Sequence, residues 1–212
     1  MEPPTALACE PITEEKNKVF RSLQSLDSEW VVRGQYEGYR YELGVAPDSG
    51  NETFIALRCE LDSWRWSGVP FYLRTGKRMG DGARIISIAF REPPQSMFPT
   101  HSRVGRYGPD HLTFDLDESS RVSLCFYGKR RGMGMVLDKT CMQFSLDETD
   151  YRSDTLEAYE RLVRDAMAGD HTLFTTAKDI ERLWEVSAPL LEDGSAAQLY
   201  PAGSWGRRRS IS

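Results

Sequence analysis

The sequence predicts an α+β fold, a large and mainly antiparallel sheet with helices packed on one of its faces. Three observations lead there. One helical segment comes first, roughly seven strand segments follow in a row, and two amphipathic helical segments close the chain. Most strand segments alternate apolar with polar residues, as antiparallel strands with one wet face do. Between residues 31 and 147 no long helical crossover separates the strands, so the βαβ order of a Rossmann domain is absent.

Residues 1–12 contain Pro3, Pro4 and Pro11 and read as an extended leader. A helix is expected from Thr13. Val19, Phe20, Leu23 and Leu26 recur there at helical spacing, and Glu14 and Glu15 suit the positive end of the helix dipole. Val31 to Tyr36 is a short strand, and residues 37–52, rich in Gly, Pro, Asp and Ser, are a loop. Thr53 to Asp62 alternates, with Thr53, Ile55, Leu57, Cys59 and Leu61 on one face and Arg58, Glu60 and Asp62 on the other. Val69 to Thr75 is the next strand, and Gly76 stops it. Arg84–Glu92, His111–Asp117, Arg121–Tyr127 and Val136–Leu146 complete the series. Their apolar faces (Ile86, Ile88, Leu112, Phe114, Val122, Leu124, Met142, Phe144) are expected to point inward.

The closing helices are equally patterned. Leu156, Tyr159, Leu162, Val163, Ala166 and Met167 form one stripe, with Ser153 or Asp154 as the start cap and Gly169 as the stop. The second runs from about Ala177 to Leu191, with Ile180, Leu183 and Trp184 on one face and Thr176 and Asp179 as caps. The expected organisation is a leader and junction helix over 1–30, a sheet domain over 31–206, and a basic tail over 207–212.

The 212 residues suffice for one large domain or two small ones, with a real core. A net charge of −5 is not that of a generic nucleic-acid binder. No apolar run approaches the roughly 18 residues of a membrane span, and no secretory signal is visible. Cys9, Cys59, Cys125 and Cys141 form no CxxC pair, and none lies at metal-ligand spacing from a histidine, so no zinc site is expected. Scattered thiols without a signal peptide suggest a reducing cytoplasm. Cys59 and Cys125 read as small buried side chains. His101, His111 and His171 each stand alone. A catalytic histidine needs an orienting carboxylate, and the adjacency of Asp110 to His111 and of Asp170 to His171 does not establish one.

No phosphate-binding glycine loop is present. Gly80-Asp81-Gly82 and Gly132-Met133-Gly134 lack the third glycine of a dinucleotide fingerprint. The densest functional signal is Trp64-Arg65-Trp66-Ser67-Gly68-Val69-Pro70-Phe71-Tyr72-Leu73-Arg74-Thr75-Gly76-Lys77-Arg78, where a strand ends and three cations, Arg74, Lys77 and Arg78, cluster. Arg can fork to phosphate and Lys can act as a point charge, so the cluster suits an anionic ligand. A solvated strand end, with arginines laid over Trp64 and Trp66, is the competing reading.

That stretch, with Asn51-Glu52-Thr53-Phe54-Ile55-Ala56-Leu57-Arg58 before it, resembles glucose-6-phosphate dehydrogenase. Further matches follow in order: Val32-Arg33-Gly34-Gln35-Tyr36, Ala158-Tyr159-Glu160-Arg161-Leu162, Gly169-Asp170-His171-Thr172-Leu173-Phe174 and Gly203-Ser204-Trp205-Gly206. The resemblance is to the C-terminal part of that family. Its Rossmann domain, which carries the coenzyme glycines, and the catalytic His with its orienting Asp find no counterpart here. The resemblance therefore implies a truncated chain that begins inside a longer ancestor.

The resemblance implies that Lys77 contacts the phosphate of glucose 6-phosphate. It implies a second cation about five residues on, a position held here by Gly82, with Arg84 nearby. Arg74 matches an arginine that helps hold a structural NADP in some members, and Arg78 adjoins the same phosphate region. The acidic residues Asp115 and Asp117 would repel a dinucleotide phosphate. NADP thus belongs to the intact family, and this chain is not expected to bind it tightly. No catalytic residue and no metal ligand is expected. The expected function is the C-terminal portion of an enzyme that oxidises glucose 6-phosphate to the 6-phosphogluconolactone with NADP in the pentose phosphate pathway. That portion would supply part of the substrate phosphate site and a sheet-mediated dimer interface, and would be inactive alone. The alternatives are a non-catalytic module that pairs with a full-length subunit, and a chain that folds poorly without its Rossmann half.

Overall fold

The computed structural model describes residues 1–92, 94–95, 108–117, 121–145, 158–192 and 194–206. In chain order the elements are α1 (Cys9–Ser22), β1 (Val31–Tyr36), β2 (Phe54–Cys59), β3 (Phe71–Gly76), β4 (Ile85–Ala89), β5 (His111–Asp115), β6 (Arg121–Lys129), β7 (Leu137–Ser145), α2 (Ala158–Ala168), α3 (Ala177–Glu192) and β8 (Gln198–Tyr200). This is the α+β fold the alternation predicts. The strands do not make one large sheet among the described residues. They make two four-stranded sheets, β3-β2-β1-β8 and β4-β5-β6-β7. The chain divides into two compact units accordingly, Met1–Asp81 with Glu157–Ser212, and Gly82–Leu156. Alternation reports that a strand has a wet face, and it is silent on which strand is its neighbour.

In the first unit, α1 starts four residues before the expected Thr13, because Pro11 is only its third residue. The first N–H groups of a helix have no intrahelical acceptor, so a proline there removes no bond. The helix also ends before Leu23 and Leu26, which the spacing had included. Leu23 leaves the helix in an extended conformation to bridge Leu61, and the Leu26 N–H donates to the Val186 carbonyl of α3 at 3.3 Å. Tertiary partners take these leucines out of the helix.

β1 and β2 pair antiparallel, and the short β8 lies parallel to β1, Tyr36 opposite Tyr200. Val32, Tyr36, Phe54 and Tyr200 form the buried cluster on one face, with Ala56 and Met79 packed against it. This corrects the face assigned to β2. The core side carries Phe54 and Ala56, and the alternate residues Ile55 and Leu57 are half-buried. On the opposite face of β1, Arg33 pairs with Glu52 at 2.6 Å and donates to the Leu190 carbonyl of α3. Strand β1 thus has partners on both sides, which a simple wet-face pattern does not anticipate.

α3 carries the predicted cap. The Asp179 N–H donates to Thr176 Oγ1 at 3.3 Å, and the Thr176 N–H donates to Asp179 Oδ2 at 3.2 Å. This reciprocal pair satisfies two amides that the helix start leaves without partners. On α2, Tyr159, Val163 and Met167 follow the predicted stripe, and all three are exposed. The proposed start caps Ser153 and Asp154, and Leu156, lie outside the described residues.

The second unit is an antiparallel meander. Its register sets Ile86, Phe114, Val122 and Phe144 in one row and Ile88, Leu112, Leu124 and Met142 in the next, all on one face. The face is the one predicted, but it is not inward among the described residues. Ile86 is 54 % exposed, Met142 63 % and Phe144 55 %. On the other face Cys125 is buried and forms a disulfide with Cys141, its cross-strand partner. Cys125 is thus buried as expected, but bonded rather than free, and the case for a reducing compartment loses one pair of its free thiols. Cys9 and Cys59 are free, and partial burial pushes the Cys59 thiol up.

Phe54 is the side chain on which the first sheet closes. Phe54→Ala should cost about 3–5 kcal/mol, read as a lowered midpoint in urea unfolding. A loss below about 1 kcal/mol would place the core elsewhere.

Candidate functional site

The cationic stretch of sequence becomes a turn, residues 76–80, at the end of β3. Backbone bonds fix it. The Lys77 N–H donates to the Thr53 carbonyl at 2.8 Å, the Gly203 N–H donates to the Arg78 carbonyl at 2.8 Å, and the Gly80 N–H donates to the Ser204 carbonyl at 2.9 Å. Beneath the turn, the Tyr200 hydroxyl donates to the Lys77 carbonyl at 2.6 Å. That hydroxyl has one proton, so the Thr53 hydroxyl 3.1 Å away is the donor to it. Thr53 Oγ1 in turn accepts from the Tyr36 N–H at 2.9 Å. A relay thus runs from β1 through Tyr200 to the backbone of Lys77.

Gly76 is dictated by packing. A Cβ there would lie 2.7 Å from Met79 Sδ and 2.8 Å from Phe54 Cδ2. Gly206 is required twice over, with φ of 78° and a Cβ position 2.8 Å from the Phe54 ring. The turn and the Gly203–Gly206 segment are therefore moulded around one aromatic ring.

The three cations differ in what they do. The Lys77 side chain is exposed, and no acidic group pairs with it among the described residues. Arg74 lies over the Trp205 ring, 5.1 Å from its centroid. Arg78 adopts a left-handed backbone, φ 52°, and pairs with Glu42 at 2.8 Å beside the Tyr36 ring. The Tyr36 hydroxyl donates to the same Glu42 oxygen at 3.0 Å. The bonds from Tyr36 and Arg78 hold the Glu42 carboxyl below its usual range, and burial pushes the Tyr36 phenol up. Arg78 is thus spent on a carboxylate, and Lys77 keeps an unneutralised charge beside Arg74.

Of the proposed arrangement over Trp64 and Trp66, nothing is seen. Trp64 stands fully exposed, Trp66 packs edge-on against Phe71 at 5.3 Å, and Arg65 pairs with Glu2. Sequence reasoning missed Trp205, Glu42, Tyr36 and Tyr200, because all four come from distant segments. Gly82 and Arg84 belong to the second unit, as does Asp115, which pairs with Arg121 at 3.2 Å.

Neither described histidine has its neighbouring aspartate as an orienting partner. Asp110 accepts from the Tyr127 N–H at 3.2 Å, and Asp170 accepts from the Thr172 N–H at 2.9 Å, which together with the Thr172 side chain holds its carboxyl low. His101 lies outside the described residues. Among the described residues there is no acidic, His or Cys cluster able to hold a metal, and no helix long and apolar enough to cross a membrane.

The first unit is thus an α+β domain that carries a glycine-moulded cationic turn at the end of a sheet. The family described as "Glucose-6-phosphate dehydrogenase, C-terminal domain" matches residues 1–211. The chain belongs to that family. It is 34% identical over 206 residues to glucose-6-phosphate 1-dehydrogenase 1 of Mycobacterium tuberculosis, covering 97% of this chain and 43% of the relative. It is 36% identical over 232 residues to glucose-6-phosphate 1-dehydrogenase of Rhizobium meliloti, covering 100% of this chain and 46% of the relative. The crystal structure of the Mycobacterium avium glucose-6-phosphate 1-dehydrogenase superposes with a TM-score of 0.84 at 34% identity, over 97% of this chain and 43% of that one. A glucose-6-phosphate dehydrogenase solved with its substrate glucose 6-phosphate gives 0.82 at 27% identity, over 98% of this chain and 44% of that one. The chain spans less than half the length of these relatives.

The Glu42 carboxyl titrates below its unfolded value of about 4.3. Its contribution to holding Arg78 is full above that value and is lost as pH falls through the lower folded value. The amide shifts of residues 77–79 should therefore move in one acid transition below about pH 4.3, and Glu42→Gln should abolish it. A transition that survives in Glu42→Gln would assign it to another group.

Proposed function

We propose that Lys77 is a phosphate anchor for glucose 6-phosphate, and that this domain contributes the anchor to an enzyme that oxidises that sugar phosphate with NADP in the pentose phosphate pathway, in the cytoplasm. The single observation that carries the reading is the exposed, unneutralised Lys77 ammonium on a turn whose backbone is fixed from below. An ammonium held by its backbone stays free at its tip, and phosphate rewards a compact cation with charge-assisted hydrogen bonds. Arg74 adds positive potential beside it, and Arg78 adds little, because Glu42 cancels it.

The residues present fit one phosphate: Arg78 is paired with Glu42, which leaves Lys77 and the Arg74 stacked on Trp205 to face it. Oxidising a sugar hydroxyl requires a base for its proton, and groups that act as a unit cost on the order of 10⁴–10⁶ in rate when removed. The chain alone is inactive on this reading. A rise in NADPH absorbance with purified chain, glucose 6-phosphate and NADP would overturn that part.

The open apolar face of the second sheet supports a second role, pairing with another subunit of the same family. Sedimentation of the chain with and without a full-length relative tests it, and a monomer that ignores the relative counts against it.

The anchor is tested by NMR titration of the chain with glucose 6-phosphate, with glucose as the control. Shifts at residues 76–80 are expected with the phosphate ester only. Lys77→Ala should weaken them by about tenfold to a hundredfold. Equal response to glucose, or no loss in Lys77→Ala, removes Lys77 from the site.

A further inference from the structure

We propose that Cys125 and Cys141 form a reversible redox clamp on the β6–β7 hairpin, opened by dithiol reductants. The two residues stand directly opposite each other in the antiparallel register, with Leu124 opposite Met142 on one side and Phe126 opposite Thr140 on the other. Their sulfurs meet without any change of register, so the bond can form and break while the strands stay paired. The two sulfurs are unequal in access. Cys125 is buried and Cys141 is exposed.

Cys125 is buried on the inner strand β6, with His111 of β5 opposite it, while Cys141 lies on β7, the edge strand among the described residues. The segment 108–110 folds over that end of the hairpin. The Tyr127 hydroxyl donates to the Gly108 carbonyl at 3.1 Å, and Lys139 donates to the Pro109 carbonyl at 2.7 Å. Tyr127 and Lys139 flank the cysteine pair on the same face, two residues along each strand. Cys141, exposed on the outer strand, is therefore the more accessible of the two to an incoming thiolate. Exposed disulfides of this kind are the exchangeable ones.

The exchange balances as follows. A thiolate of the dithiol attacks Cys141 Sγ, the S–S bond breaks, and the electron pair leaves on Cys125 Sγ, which takes a proton from solvent. The second thiol of the reductant, deprotonated, attacks its partner sulfur in the mixed disulfide, and Cys141 leaves as a thiolate and is protonated. The protein gains two electrons and two protons, and the dithiol becomes a cyclic disulfide.

The clamp adjoins the open apolar face of the second unit. Cys125 and Cys141 adjoin Leu124 and Met142, which point to the open apolar face. The bond closes a loop with a sequence separation of 16, across the longest strand pair of the sheet. Crosslinking a loop of this size shifts the opening equilibrium by on the order of 100-fold.

The experiment uses the full chain with Cys9 and Cys59 replaced by serine, so that no other thiol can shuffle. It is equilibrated in graded ratios of reduced to oxidised dithiothreitol, then in glutathione buffers, and trapped by alkylation for mass spectrometry. Amide exchange of β6 and β7 is followed in parallel. Both cysteines should become alkylated together in one two-electron transition, and β6–β7 amides should exchange on the order of 100-fold faster when reduced. Cys141→Ala should show the fast exchange at every ratio. The proposal is overturned if the pair stays reduced in oxidised glutathione, if it resists excess dithiothreitol in the native state, or if exchange is the same in both redox states or remains redox-dependent in Cys141→Ala.

Discussion

The Tyr200 side chain ties three separated stretches of sequence into one object. Its ring packs against Tyr36 and Phe54, and its hydroxyl bonds the carbonyl of Lys77. It is 1 % exposed, so that hydroxyl has no water to fall back on. Removing the partner would leave a buried polar group unpaired, which is the costly direction of the exchange. The turn at 76–80 is therefore set by the last strand of the chain, and the geometry around Lys77 follows from a residue more than 120 positions away. Gly76 and Gly206 are consequences of the same packing, since both must let Phe54 through.

What was legible in the sequence is what is local. The period-two runs located seven of the eight strands among the described residues, and the Thr176–Asp179 spacing located a cap that the structure contains. The eighth strand, β8, was not legible. It has three residues, too few to show a period, and it pairs parallel with β1, 164 positions away in sequence. The division into two sheets was hidden for a related reason, because neighbours in a sheet are fixed by pairing between segments. The start of α1 was misread through Pro11, where a rule about helix interiors does not apply to a first turn.

The candidate site was half legible. Lys77 was visible as a cation past a strand end, and its family resemblance sharpened it. The fates of Arg74 and Arg78 were not visible, since Trp205 and Glu42 come from elsewhere in the chain. Of the three cations that crowd the sequence, one is ion-paired, one is stacked on a ring with its charge intact, and Lys77 stands exposed. This also explains why a net charge of −5 has little bearing on the site. A ligand feels the local field within about a Debye length, roughly 8–10 Å, and the distant carboxylates that set the total are screened.

A lysine whose backbone is fixed and whose ammonium is free suits a remote anchor better than a chemical group. On the proposed function, the phosphate lies away from the hydroxyl that is oxidised. Binding energy gathered there is useful to catalysis only if it holds the reacting carbon in register with a base and an acceptor contributed by other parts of the enzyme. That demand falls on the rigidity of the turn, and the turn is rigid because Thr53, Tyr200 and Gly203 each hold one of its backbone groups. The left-handed Arg78 sits within this frame, an unfavourable conformation for a residue with a Cβ, retained because Glu42 and Gly203 bond it on both sides. On that reading, the rigidity of this turn governs how well a base elsewhere in the enzyme is used.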